Sequence, residues 1–346
     1  TKWFPYDKGG AFRRWYGNRD YYVDWENDGY KIKNNPKAAV RNHNFFFLPH
    51  FSWTLVSSGK FSSRSFNNEF ILDTASNCIY FKNNKTDEFL LAFLNTKVCQ
   101  EYLSLINPTI NNSCGVVGQC PIIYGNKELI IQIVKNNISI SRRDWDAHET
   151  SWDFQTSPLF DAMLGEIGIS KSQFNHSRMI AEANRGVFLS EVCKTYCEQW
   201  QTLFMQLHAN EEELNRQFIE IYGLQDELTP DVPFNEITIL QKGEISIENN
   251  ELQWHNDIII KQFISYLVGC YMGRYSLDKP GLIIASQGQT LDSINPEVQK
   301  TLEIDDDGII PFIQEPDFFA DDMTERVQIA IRKLFGDTNY YDNLKF

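Results

Sequence analysis

The 346-residue sequence has no two adjacent prolines, no two glycines separated by a single residue, and no Gly-Lys-Ser/Thr. The first absence removes the Asp/Asn-Pro-Pro-aromatic loop with which amino-methyltransferases hold a target amine. The other two remove the tight glycine turns that cradle nucleotides, phosphates or S-adenosylmethionine. No Asp or Glu is followed two positions later by Lys, so the carboxylate-x-Lys element of common metal-dependent nucleases is missing. His148 begins His-Glu-Thr, but no second histidine follows four residues on, which excludes a zincin helix. Long apolar runs are missing too. The nearest, Ile258 to Gly273, is broken by Lys261 and Gln262, and the N-terminus lacks the basic-then-apolar layout of a signal peptide. Seven scattered cysteines, an odd number without a tight framework, point to reduced thiols and a cytoplasmic setting. Cys193 and Cys197 lie one helical turn apart, and Cys114 and Cys120 flank a glycine loop. Neither pair has the two-residue spacing of structural zinc pairs, so no metal ligands are assigned, and no catalytic residues either.

What is present describes an ordinary globular protein long enough for two or three domains, with 42% hydrophobic and 23% charged residues. The net charge of −14 at first argues against a nucleic-acid partner, but it is unevenly spread along the chain. Residues 1–150 carry 18 Lys and Arg against 14 Asp and Glu, a balance of +4; residues 151–346 carry 14 against 32, a balance of −18. A basic first part can still hold DNA, because what counts is the field within a Debye length of about 8–10 Å.

The opening stretch, Lys2 to Asp20, packs six aromatics, the pair Gly9-Gly10 and five cations into nineteen residues. Glycine pairs bend the chain or let backbone approach a ligand. Arg13, Arg14 and Arg19 supply planar forks suited to phosphates and guanine edges. Aromatics interleaved with cations suit nucleic acid by stacking and counterion release. A hairpin whose aromatics fill a local core and whose cations are solvated fits the same composition. A second polar turn, Ser57 to Phe66, projects Lys60, Phe61 and Arg64, as either a groove-reading finger or a solvated hairpin tip.

The pattern predicts an α+β fold. Residues 1–140 read as one mixed domain: two short strands across Phe45–Val56 around Pro49, strands at Phe70–Asp73 and Ile79–Phe81, a helix capped by Thr86 and running to Leu105, and a strand at Leu129–Val134. Residues 141–225 read as a linker with Trp145 and Trp152 and a helical spacer. In the spacer, Val192, Tyr196, Trp200, Leu203, Leu207, Leu214, Phe218 and Ile221 mark a helix from Phe188 to Tyr222, with Asn210 a possible interruption. Residues 226–346 read as a smaller C-terminal α/β region with a strand at Ile237–Leu240 and helices at Asp257–Tyr275 and Met323–Phe335. The chain starts without Met and stops at Asn339–Phe346 with no polar tail, as expected of a piece of a longer protein.

Lys2–Asn18 (KWFPYDKGGAFRRWYGN), DWENDG, SWTLVSSGKFSSRSF, LLAFLNTKVCQEYLSLINPT and GVVGQCPI, followed by RRDWDAHETSWDF, FIEIYGLQDELTPDV and LVGCYMGRYSLDKPGL, closely resemble the C-terminal half of the BREX-type adenine-specific DNA methyltransferases (the PglX family), often described as type II restriction methylases. The likeness covers nearly the whole chain. The Leu90–Ile122 arrangement is also similar to target-recognition domains of type I specificity subunits. The resemblance implies that residues 1–140 are a DNA target-recognition domain and that the full-length protein uses S-adenosylmethionine to methylate an adenine amine in phage defence. The catalytic loop and cofactor pocket missing here would lie upstream, so the chain would bind no cofactor and would not be an enzyme alone. Lys8, Gly9, Gly10, Arg13, Arg14, Arg19, Lys60 and Arg64 would contact double-stranded DNA. Arg14→Ala or Lys60→Ala would then weaken DNA binding without unfolding the protein. Further expected partners are the upstream methyltransferase domain and other phage-defence proteins, with no membrane. A protein-interaction scaffold of a defence complex and a carbohydrate-binding module are the rival readings.

Overall fold

The computed structural model describes residues 2–166, 186–286, 288–312 and 322–346. Helix makes up 44% and strand 11%, an α+β protein with three small sheets among the described residues. The chain divides into two compact units: residues 1–145 with 203–239, and residues 146–202 with 240–346.

In the first unit, β1 (Trp3–Asp7) pairs antiparallel with β2 (Tyr21–Asp24), and the short β5 (Ile71–Leu72) runs parallel to β1 on its other side. Trp25, Phe46 and Ile71 form the local core, with Phe4, Tyr6, Val23 and Phe47 packed on it. The second sheet has the order β4-β3-β6, from Ser63–Phe66, His50–Thr54 and Ser76–Tyr80, all antiparallel. Phe45–Val56 therefore holds one strand rather than two, after Pro49, with a 3₁₀ turn at His43–Phe45 before it.

The predicted helix 86–105 is two helices, Glu88–Leu94 and Lys97–Ile106. Asp87 rather than Thr86 caps the first, accepting from the Phe89 amide, and Thr96 restarts the chain as cap of the second. The predicted strand at Leu129–Val134 is instead part of a helix, Lys127–Trp145. Its isoleucine and valine run suggested β structure, but the buried positions Ile130, Ile133, Val134, Asn137, Ile140 and Ser141 recur at helical spacing.

The long helix Leu189–Tyr222 is unbroken over 34 residues. Asn210 does not interrupt it; its amide donates to the Asn136 and Asn137 side chains, both at 2.7 Å. Residues to 202 belong to the second unit and those from 203 to the first. In the first unit Phe218 packs on Phe89 and Phe93, at ring separations of 5.0 and 5.8 Å. Ile237–Leu240 is buried but forms no strand.

In the second unit, β7 (Ile245–Glu248) and β8 (Glu251–Trp254) form a hairpin. Its two turn residues, Asn249 and Asn250, have φ of 52° and 62°, the left-handed pair that a tight hairpin demands. The helices Asn256–Tyr271, ending four residues earlier than expected, and Met323–Phe335, as expected, supply the core. Phe154, Tyr266 and Tyr275 pack ring against ring within it.

Candidate nucleic-acid interface and the buried centres behind it

The glycine pair brings the chain against its own sheet. Gly9 has φ +72°, and a Cβ there would sit 3.1 Å from Thr54 Oγ1. The Gly10 amide donates to that same Oγ1 at 3.0 Å, while the Thr54 hydroxyl donates back to the Gly10 carbonyl at 2.9 Å. The close approach that glycine permits is therefore made to β3.

Beyond it, residues 13–16 run along β4. The Trp15 amide donates to the Ser63 carbonyl and the Ser65 amide to the Trp15 carbonyl. Trp15 holds φ +70°, an uncommon value for a bulky side chain, fixed by these bonds and by its indole N–H donating to Glu211 Oε1 at 2.6 Å. This path turns the arginines inward. Arg13 Nη2 reaches Asp144 Oδ2 at 2.7 Å, its Nε donates to the Tyr16 carbonyl, and its plane lies over the Trp145 ring. Arg14 binds Glu211 through Nη1 and Glu236 Oε2 through Nη2 at 3.0 Å. Burial pushes the Glu211 carboxyl up, against the pull of Arg14 and the Trp15 indole. Arg64 is fully buried, with Nη1 donating to the Arg13 carbonyl at 3.2 Å and Nε and Nη2 without a partner. Burial lowers its guanidinium to about 10, with Asp7 working the other way.

Arg13, Arg14 and Arg64 thus act as internal cross-links in the first unit, and the expectation that Arg14→Ala would leave folding intact does not fit this burial. Arg19 is partly buried among the rings of Tyr16, Phe66 and Phe70. Lys8 is exposed, 4.8 Å above the Tyr21 ring. Lys60 is exposed and pairs with Glu236. Gly10 is exposed and Gly9 buried.

The charge split along the sequence is not the split in space. Residues 203–239 carry one cation and eight acids, and they belong to the first unit. That unit totals 19 cations against 20 acids, a balance of −1; the second totals 13 against 26, or −13. Glu211 and Glu236 come from this returning segment.

Sequence reading missed a second buried centre, and alternation along β3 explains it. His50, Ser52 and Thr54 share one face of the sheet. The register places Phe66 and Tyr80 beside His50, and Arg64 and Cys78 beside Ser52. Asp7, at the end of β1, closes over this polar face. Its Oδ1 accepts from the Gly9 amide at 3.2 Å and the Ser76 hydroxyl at 2.8 Å. Its Oδ2 faces His50 Nε2 at 3.4 Å and Cys78 Sγ at 3.9 Å. Burial alone would raise the Asp7 carboxyl; His50 and Arg64 hold it below the usual range. Burial and the Asp7 charge push the Cys78 thiol well up. Among the described residues, Asp7, His50 and Cys78 are the metal-ligating group whose donor atoms all lie within 4.8 Å of one another. A cavity of about 370 Å³ adjoins them, with Cys78, Cys114, Tyr80, Asp73 and Arg41 on its wall. No motif spacing marks these residues, which come from three strands. The available signal was a His and a Ser two apart in an otherwise aromatic strand.

The second unit holds its own buried pair. His148 Nε2 lies 2.6 Å from Glu244 Oε1, which also accepts from Gln262, while Glu244 Oε2 accepts from the Lys242 amide. Burial pushes the Glu244 carboxyl up, but these hydrogen bonds, His148 foremost, outweigh it and hold it at about 2. A cavity of about 360 Å³ beside the pair is walled by Phe154, Leu159, Tyr196 and Ile258.

No family model matches the chain. It is homologous along its whole length to two adenine-specific methyltransferases. It is 35% identical over 353 residues to Adenine-specific methyltransferase PglX of Lacticaseibacillus casei (strain Zhang), covering 99% of this chain and 26% of that protein. It is 33% identical over 355 residues to Adenine-specific methyltransferase BrxX of Escherichia coli O9:H4 (strain HS), covering 100% of this chain and 27% of that protein. The chain spans about a quarter of the length of these curated relatives.

Proposed function

We propose, from this homology to adenine-specific methyltransferases, that the chain is the duplex-DNA recognition part of such an enzyme, acting in BREX-type phage defence in the cytoplasm. The observation that carries the reading is a match running through all of this chain and only a quarter of each relative. In this reading S-adenosylmethionine, base flipping and methyl transfer belong to other parts of the longer protein, since this sequence has neither the Pro-Pro loop nor a glycine cofactor turn. Residues 1–145 with 203–239 hold the duplex, and other defence proteins dock elsewhere. Among the described residues no helix is long and apolar enough to cross a membrane.

Burial sorts the eight contact residues. Lys8 and Lys60 are exposed and make the phosphate contacts, Lys60 by exchanging Glu236 for a phosphate. Arg19 packs on its three rings at the edge of that surface. Gly9, Gly10, Arg13, Arg14 and Arg64 fix the backbone that presents the lysines. Phosphate contacts of this kind position a duplex without reading its sequence.

The test is binding of the 346-residue chain to duplex DNA across a salt series. We expect affinity to fall steeply as salt rises. Lys8→Ala should reduce the slope of log affinity against log salt by about one and weaken binding evenly across sequences. A flat salt dependence, or a Lys8→Ala chain with unchanged affinity and slope, would overturn the reading. Two observations favour a protein-interaction scaffold as the second reading: the near-neutral first unit, and arginines already committed to carboxylates. That alternative expects no salt-dependent DNA binding.

A further inference from the structure

We propose that Asp7, His50 and Cys78 bind a divalent, thiophilic metal ion of the zinc type, with Cys114 completing the shell from the wall of the adjoining cavity. The spacing suits such an ion. Tetrahedral bonds of about 2.0–2.3 Å place neighbouring ligand atoms roughly 3.3–3.8 Å apart. Here His50 Nε2 and Cys78 Sγ stand 3.4 and 3.9 Å from the same carboxylate oxygen.

The hydrogen bonds around the group leave the right lone pairs facing one another. His50 Nδ1 lies 2.8 Å from the Leu48 carbonyl, which accepts but cannot donate, so Nδ1 carries a proton. In the neutral ring Nε2 then keeps its lone pair, and it is buried with no hydrogen-bond partner. A buried imidazole nitrogen 3.4 Å from a carboxylate oxygen calls for a cation between them, a proton or a metal ion. An Nδ1–H bound to a backbone carbonyl is the arrangement that orients metal-ligating histidines. The Gly9 amide and Ser76 hydroxyl occupy Asp7 Oδ1 and turn Oδ2 toward the ion position. The imidazole is stacked on Phe66 at 5.1 Å with the planes 2° apart, so its direction is fixed by packing.

Charge balance selects the fourth ligand. A divalent ion with one carboxylate and two thiolates sums to −1, and the buried Arg64 beside it brings the set to zero. With Cys78 as the sole thiolate the set would keep a buried positive charge. Cys114 lies on the same cavity wall, its Sγ 3.9 Å from the Cys78 carbonyl and outside the 4.8 Å group, so its side chain would swing onto the ion on binding. A metal here would also oppose the rise of the Cys78 thiol, since a coordinating thiol is held deprotonated.

The probes are the metals themselves. The 346-residue chain purified without chelator should carry about one zinc per chain by elemental analysis. Replaced by Co²⁺, the site should show tetrahedral d–d absorption and thiolate-to-cobalt charge transfer. Cys78→Ser should abolish both zinc and charge transfer, Cys114→Ser should roughly halve the charge-transfer intensity, and Cys197→Ser should change neither. A folded wild-type chain with no zinc and no thiolate–cobalt band at saturating Co²⁺ would overturn the proposal and leave a bare imidazolium–carboxylate pair. Full zinc retention in Cys78→Ser would overturn it equally, and an unchanged cobalt spectrum in Cys114→Ser would remove the fourth ligand. Circular dichroism checks folding of each variant; if Cys78→Ser does not fold, the wild-type cobalt spectrum decides.

Discussion

Arg14 and Arg64 are guanidinium groups sealed into the same unit, and the protein treats them in opposite ways. Arg14 meets two carboxylates, and one of these also takes the indole N–H of its neighbour Trp15. Arg64 makes a single bond to a carbonyl and leaves two nitrogens unpaired beside Asp7, His50 and Cys78. The Arg14 centre supplies carboxylates to both terminal nitrogens and leaves Nε over; the Arg64 centre leaves two guanidinium nitrogens and His50 Nε2 over. A buried charge is tolerated when countercharges are supplied, and the difference locates where a further component would fit.

The sharpest way to break the comparison is to empty the carboxylate-paired centre. Glu211→Ala leaves Arg14 with Glu236 alone and strands the Trp15 indole, and should cost about 3–5 kcal/mol in urea unfolding. Replacing both charges, Arg14→Met with Glu211→Leu, should recover much of that loss, and a double-mutant cycle measures the coupling.

Next in size comes the second unit's Glu244, a saturated pair with a pH signature. Its carboxyl is depressed from 4.5 to about 2, so its stabilising contribution is full above pH 4.5 and is lost as pH falls toward 2. The acid-unfolding curve of Glu244→Gln should lack up to about 3 kcal/mol of that pH dependence. Arg64→Met should fall well short of Arg14→Met, within about 1 kcal/mol, because few bonds are given up. A loss as large as that of Arg14→Met would end the contrast. Smallest is Lys60→Ala, since an exposed lysine pairing with Glu236 contributes about 0.2–1 kcal/mol, read as a minor change in thermal midpoint.

How much of this was legible in the sequence depends on range. The long helix at 189–222 and the helix at 323–335 were readable because their apolar spacing is local. The helix at 127–145 was misread because consecutive isoleucines satisfy either period over six residues, and only the longer window decides. The cations of the opening stretch were visible, but their direction was not. Arg13 turns inward for Asp144 and Arg14 for Glu211, partners 131 and 197 positions away. The charge split misled for the same reason, since an acidic segment far along the chain belongs to the basic one. Asp7, His50 and Cys78 carried no spacing signal because strand register, set by neighbours, assembles them.

The 197-residue separation of Arg14 and Glu211 also sets a clock. At about 5–20 residues per second, a ribosome makes Glu211 roughly 10–40 s after it makes Arg14. Through that interval Arg14 and Trp15 have no carboxylate to meet, and the first unit waits open for its closing segment. Nascent chains of this protein should therefore be long-lived chaperone clients. Residues 1–145 made alone should stay in that waiting state.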